Sequence, residues 1–392
     1  MMSGRGILCA AAGIYGHVVP TVRLALELRN EGHQVHMLSH RPEMRPFFER
    51  NRLPVTDLPS LSRLDLANEV RSVLKARNPD VTICDWSPEM WMALHAWRPQ
   101  CRVSILRCEL LLGYRRRNFL LPDKFDFDGR EHIDTLNGFF RRLGVRRPIA
   151  DTRELYRAEV IVIPSVPEID PLPDQAAELY PDSTFVYTGP LLMGVGAEAS
   201  PELQDWIGSR REEGLPVVLV TLGTVWGAGI YEALADCLQE AEAAVVMVVP
   251  YEDERNNLAR RNGSRFRATG LTDVGSLARL VDVVLHHCGH GTLHSVLLAG
   301  KPSVTLPSGE YDREDNAVRL EELGCGRHLG HEMFRNGFPA PVMAGVIRSV
   351  MTDSAVRVAV GRMQRRVQDY VDTRGPAEFV RVLTARMAGR PA

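Results

Sequence analysis

No apolar run in the 392-residue sequence approaches eighteen residues, so no membrane-spanning helix is expected. Cysteine is sparse and odd in number. Its seven copies show no framework spacing, which excludes a disulfide scaffold and reads as reduced thiols of a cytoplasmic protein. Lysine is scarcer still: it occurs only at 75, 124 and 301, and the other 44 basic residues are Arg, a coding bias with little structural content. Excess charge of either sign is missing, with 47 basic against 49 acidic residues and a net charge of −2. That excludes a general binder of nucleic acid or membrane surfaces. Tandem repeats and low-complexity tracts are absent too. What remains is ordinary globular composition, 45% hydrophobic and 24% charged, in a chain long enough for two or three domains.

Strand-like runs alternate with helical patterns throughout, the signature of parallel α/β sheets. Arg5 followed by Ile7–Ala12 superficially resembles an export signal. The run is too short and flows straight into Tyr15-Gly16-His17, so it reads as a first buried strand. Pro20 suits a helix start and Gly32 a position just past its end. Gln34–Ser39, Val81–Cys84, Arg102–Leu106 and Val160–Ile163 read as further strands, and Leu66–Arg77 as a helix. Between Thr188 and Pro201 the chain turns Gly- and Pro-rich and loses periodicity, as an inter-domain linker does. Alternation then restarts with strands at Pro216–Leu222, Ala244–Val249, Val283–His286 and Ser303–Leu306, and Ala377–Met387 reads as a last helix. The expected domains are 1–195, 196–370 and a C-terminal helical segment 371–392 packing back on the first.

Ligands of open parallel sheets sit outside the carboxyl ends of the strands. His17 follows the first strand and Asp85 ends a later one, so both fall on one rim, where a carboxylate-oriented imidazole is a suitable general base. Capping of a turn by His17 and of a helix by Asp85 is the plainer reading of the same residues. The densest signal is His286-His287-Cys288-Gly289-His290-Gly291-Thr292, between an apolar strand and a helix. Its glycines, helix amides, Thr292 hydroxyl and His287 fit a diphosphate cradle. It lacks the lysine of a Walker loop and the glycine spacing of a dinucleotide turn. Histidines 286, 290 and 294 have zinc-like spacing only if a helix runs back through Gly289, so no metal site is expected. Asp126-Phe127-Asp128 is a short triplet of a kind common by chance and is set aside.

Several segments together resemble the GT-B glycosyltransferases of family 1, especially bacterial enzymes that glycosylate antibiotics and other natural products. They are Gly16–Pro20, Leu24–Leu28 with Glu31–Val35, Val220–Thr224, His287–Thr292, Ala299–Pro302, and Asn316-Ala317 with Glu322–Gly324. The resemblance covers most of the chain. It implies two Rossmann-like parallel-sheet domains facing each other across a cleft, the first binding the acceptor and the second a nucleotide sugar. It also implies inverting transfer from a dTDP- or UDP-sugar to a hydroxyl of a small natural product, with no metal or other cofactor. His17 would be the base and Asp85 its orienting carboxylate. Thr224, His287, Gly289, Gly291 and Thr292 would hold the diphosphate. Asp312 and Arg313 stand where the family has a sugar-gripping Asp-Gln pair. Ser295 stands where it often has a ribose-binding Glu, a departure compatible with a deoxyribose donor. Arg313 reads equally as a sugar contact or as an ion-pair partner of Glu310 or Asp315. Trp86, Tyr114 and Phe119 are the candidate acceptor contacts, although Trp86 or Trp91 should be packed in the core. The rival expectations are a nucleotide-sugar epimerase or hydrolase on the same fold, and a catalytically silent nucleotide-binding partner of another transferase. A nicotinamide-dependent oxidoreductase is weaker still.

Overall fold

A computed structural model describes residues 4–11, 13–59, 62–97, 101–107, 130–223, 229–307, 311–330 and 339–389. They divide into two compact units. The first holds the residues up to Met193 and those from Tyr370 onward, and the second holds Gly194–Asp369.

In chain order the first unit runs β1 (Gly6–Ala11), α1 (Tyr15–Asn30), β2 (Gln34–Ser39), α2 (Arg45–Arg50), β3 (Val55–Asp57), α3 (Arg63–Arg77) and β4 (Val81–Asp85). It continues with α4 (Pro88–Trp97), β5 (Cys101–Ile105), α5 (Arg130–Arg142), β6 (Val160–Ile163), α6 (Ala176–Leu179) and β7 (Thr184–Tyr187). These strands form one parallel sheet in the order β3-β2-β1-β4-β5-β6-β7. The central strands are short apolar runs with both faces covered; every residue of β4 and β6 is buried. The order reverses direction between β1 and β4, which pair in register from Ile7 with Val81 to Ala11 with Asp85. A crevice therefore opens at their carboxyl ends.

The second unit repeats the plan: α7 (Pro201–Glu212), β8 (Val217–Thr221), α8 (Ile230–Leu238), β9 (Ala244–Val248), α9 (Glu252–Ala259), β10 (Phe266–Thr269) and α10 (Val274–Leu280). Then come β11 (Val283–His286), α11 (His290–Leu298), β12 (Ser303–Thr305), α12 (Tyr311–Glu322), β13 (Gly326–His328) and α13 (Ala340–Thr352). Its parallel sheet has the order β10-β9-β8-β11-β12-β13, with the reversal between β8 and β11. Thr221 and His286 are register partners at that edge. Helix α14 (Ser354–Thr373) carries the chain from the second unit into the first. Helix α15 (Gly375–Met387) then packs on α1, β6 and β7, burying Phe379, Val382 and Leu383.

One helix differs from the sequence expectation. Helix α1 begins at Tyr15, not Pro20, so the proline lies inside it. An interior proline withholds an amide from the carbonyl four residues earlier, here that of Gly16. Arg107 Nη2 donates to that oxygen instead, at 3.0 Å. Among the described residues, no helix is long and apolar enough to cross a membrane.

Candidate active site

At the β1/β4 crevice, the early start of α1 puts His17 in its first turn, above the end of β4. Its Nδ1 lies 2.8 Å from Asp85 Oδ1. Asp85 is 1% exposed, and a carboxylate so buried needs partners. Arg107, two residues beyond the end of β5, supplies them: its Nη1 lies 3.0 Å from each carboxylate oxygen. Beside a guanidinium the carboxylate is an acceptor only, so Nδ1 of a neutral His17 must donate, and Nε2 carries the lone pair. The His17 side chain keeps 22% exposure, so the ring is reachable.

Trp86, the residue after Asp85, has φ +42°, a left-handed conformation that costs a bulky residue on the order of 1–3 kcal/mol. Its ring lies nearly parallel to that of His17, with centroids 6.3 Å apart, and meets Trp91 edge-on at 5.8 Å. Trp91 is the packed member of the pair, buried against Tyr156 at 4.6 Å. Tyr114 and Phe119 lie outside the described residues, as do Asp126, Phe127 and Asp128.

At the corresponding β8/β11 edge of the second unit, the histidines take separate roles. His286 is a core group: Nδ1 accepts from the Cys288 amide at 3.2 Å, and Nε2 meets Ser303 Oγ at 3.0 Å. Burial pushes its pKa down to about 3. His287 is also pushed down to about 3, by burial first and then by the nearby Arg313 charge and His286, with a Thr221 backbone hydrogen bond opposing. It is therefore a neutral ring at any physiological pH. Its Nδ1 is buried and has no hydrogen-bond partner among the described residues. His294 Nδ1 meets the His290 carbonyl at 2.8 Å.

The two neighbouring glycines make room for the His287 ring. A Cβ on Gly223 would stand 2.8 Å from His287 Cε1, and one on Gly289 would stand 2.4 Å from Nε2. The space that a side chain at Gly289 would fill is taken by the adjacent imidazole. Gly289 is the N-cap of α11 and offers no side chain to cap the helix. Gly291 and Thr292 then fall in the first turn, whose amides lack intrahelical acceptors. Ser295 follows one turn later on the same helix and is half-buried.

Between His287 and Gly289, Cys288 has φ +62°. Its amide is held by His286, and its carbonyl accepts from Asn316 Nδ2 at 3.1 Å. Burial, and then the charges of Asp312, Glu314 and Asp315, push its thiol pKa well up. The first turn of α12 therefore lies against this loop, bringing Asp312 and Arg313 near His287. Thr224 and Glu310 are outside the described residues. Among the described residues, no three His, Cys, Asp or Glu side chains converge as a metal site.

Sequence reasoning did not single out Arg107. The available signal was a lone Arg at the carboxyl end of an apolar strand, next to the strand that ends in Asp85.

No protein-family model matches the chain. It is 24% identical over 161 residues to the demethyllactenocin mycarosyltransferase of Streptomyces fradiae, an alignment covering 41% of this chain and 34% of that protein. It is 21% identical over 384 residues to the NDP-glycosyltransferase YjiC of Bacillus subtilis, covering 91% of each. With several curated relatives, the S. fradiae enzyme among them, the match spans only about a third of the relative's length. Among solved structures, the spinosyn forosaminyltransferase SpnP superposes with a TM-score of 0.74 at 18% identity, over 98% of this chain and 100% of that one. The chain has the GT-B fold, and it is similar to glycosyltransferases, those of antibiotic pathways among them.

Proposed function

We propose that the protein is an inverting glycosyltransferase that moves a sugar from a dTDP- or UDP-sugar to a hydroxyl of a small natural product. The observation that carries this reading is His17 hydrogen-bonded through Nδ1 to a buried, Arg-clamped carboxylate on the carboxyl edge of a parallel sheet. His17 Nε2 takes the acceptor proton as the hydroxyl oxygen attacks the anomeric carbon from the face opposite the leaving group. The bond from that carbon to the diphosphate oxygen breaks, and its electron pair leaves with the nucleoside diphosphate.

The second unit supports the donor half of the reading. Charge grows on the diphosphate as the bond breaks, and uncapped amides at a helix N-terminus stabilise it. Gly291, Thr292 and Thr224 would hold the phosphates. His287, neutral, would donate to a phosphate oxygen in its Nδ1–H tautomer, exchanging the Thr221 backbone bond for a partner at that buried nitrogen. Gly289 shapes the site by admitting the His287 ring. Asp312 and Arg313 would reach the sugar and Ser295 the nucleoside, while Trp86, Tyr114 and Phe119 would meet the acceptor. The chain's own groups meet these charge demands without a metal or another cofactor.

Thermal unfolding with dTDP, UDP, GDP and NAD, each with and without chelator, tests the reading. A ligand at about 100 times its Kd adds roughly 2.7 kcal/mol, a shift of a few degrees for a protein of this size. A shift with dTDP or UDP that survives chelator is expected. No shift with any nucleotide overturns the donor assignment. Consumption of a nucleotide sugar without acceptor would favour an epimerase or hydrolase.

A further inference from the structure

The Gly16 carbonyl connects two observations that the proposed chemistry leaves separate. Pro20 has no amide hydrogen to give it, so α1 carries an acceptor in its first turns without the usual helical donor. Asp85 is a carboxylate buried to 1% exposure. Each needs donors, and Arg107 serves both: Nη1 binds the Asp85 carboxylate, and Nη2 donates to Gly16 O at 3.0 Å. Arg107 is itself 7% exposed, so its charge too is held inside and paired. Gly16 is the residue before His17. One planar group therefore spans the end of β4 and the first turn of α1, the two backbones whose side chains form the dyad.

We infer that Arg107 is the positioning residue of the His17–Asp85 pair, with Pro20 creating the acceptor that fixes it to α1. This rests on the reading of His17 as the base. A guanidinium suits the role because its donors are rigidly spaced in one plane, whereas a lysine ammonium is a single point on a flexible stem. With Asp85 held at both oxygens, its hydrogen bond to Nδ1 keeps His17 in one tautomer and one ring orientation. Losing the guanidinium lets the carboxylate turn, and a displacement of about 1 Å at a catalytic base costs roughly a hundredfold in rate.

The test uses the full chain with 15N-labelled histidine, assigned with His17→Gln, and the rate of nucleoside diphosphate release with a hydroxylated aromatic acceptor. Wild type is expected to show His17 as the single Nδ1–H tautomer. Arg107→Ala should lose that signature and about a hundredfold in kcat, with KM changed less than about threefold. Millimolar guanidinium should restore part of both, and urea at the same concentration neither. Arg107→Lys and Pro20→Ala, read in the same spectra, cover a failure of Arg107→Ala to fold. The latter returns an amide to Gly16 O, and a smaller loss is expected. A retained Nδ1–H signature and near-wild-type kcat in these variants would overturn the inference. Full activity of His17→Ala would instead overturn the base assignment, whatever the Arg107 variants do.

Discussion

The two units place their key histidines at the same point of the same topology, the carboxyl edge where strand order reverses, yet the two sites are in opposite conditions. In the first, polar groups are matched: His17 to Asp85, and Asp85 to Arg107, which also reaches the backbone of α1. In the second, His287 is buried and neutral, with Nδ1 lacking a partner among the described residues, beside a helix start with no capping side chain. Each edge also has a non-glycine residue in the left-handed region, Trp86 at φ +42° and Cys288 at φ +62°. A site that moves a proton gains from an internally fixed base. A site that holds an anion gains from donors left for the ligand to satisfy.

The largest effect should come from the matched site. His17→Ala is expected to lower kcat by roughly 10²–10⁴-fold while leaving the nucleotide Kd within about twofold. Calorimetry with dTDP or UDP beside single-turnover rates would show the split, and equal losses in both would dissolve the distinction between the sites. The unmatched site should answer in the other quantity. His287→Phe keeps a planar ring between Gly223 and Gly289 but removes the Nδ1 donor. Donor Kd should rise about tenfold to a hundredfold, the value of a hydrogen bond to a charged group. Unchanged donor affinity would remove His287 from the phosphate site.

The smallest effect sharpens the contrast. With its pKa near 3, His287 stays neutral from pH 6 to 8.5, so nucleotide-sugar affinity should be flat across that range. Affinity rising tenfold per unit as pH falls would show that the ring binds the donor as a cation. Stability should move instead, because His286 and His287 titrate near 6.5 when unfolded and near 3 when folded. The unfolded chain then binds more protons between those values. Stability contributed above about pH 6.5 is lost as pH falls toward 3, and the midpoint of thermal unfolding should drop with it.

The fold was legible because its strands are short apolar runs bounded by turn residues and its loops carry glycine at the edges. Asp85 could be placed from Val81–Cys84 alone, and His17 from the strand before it. Arg107 and the true start of α1 were hidden for one shared reason. Pro20 favours a helix start only while the carbonyl four residues back lacks a partner, and that partner is 91 residues away from Gly16 in sequence. The histidine cluster was visible as a cluster but not as separate roles. Ser303 and the glycines beside His287 separate the core ring from its neighbour, and only the folded sheet brings them together. Local pattern carries the elements; compensation between distant residues carries the site.

The passage of α14 back into the first unit has a consequence for how the chain matures. Its first 193 residues leave the ribosome long before Phe379, Val382 and Leu383 exist to cover α1, β6 and β7. Among the described residues the second unit runs from Gly194 to Asp369, ahead of the segment that completes the first. Synthesis therefore delivers the residues of the second unit before those that complete the first, unlike a chain of strictly sequential domains. The half that holds the proposed base is finished only by a segment that follows the whole second unit in sequence.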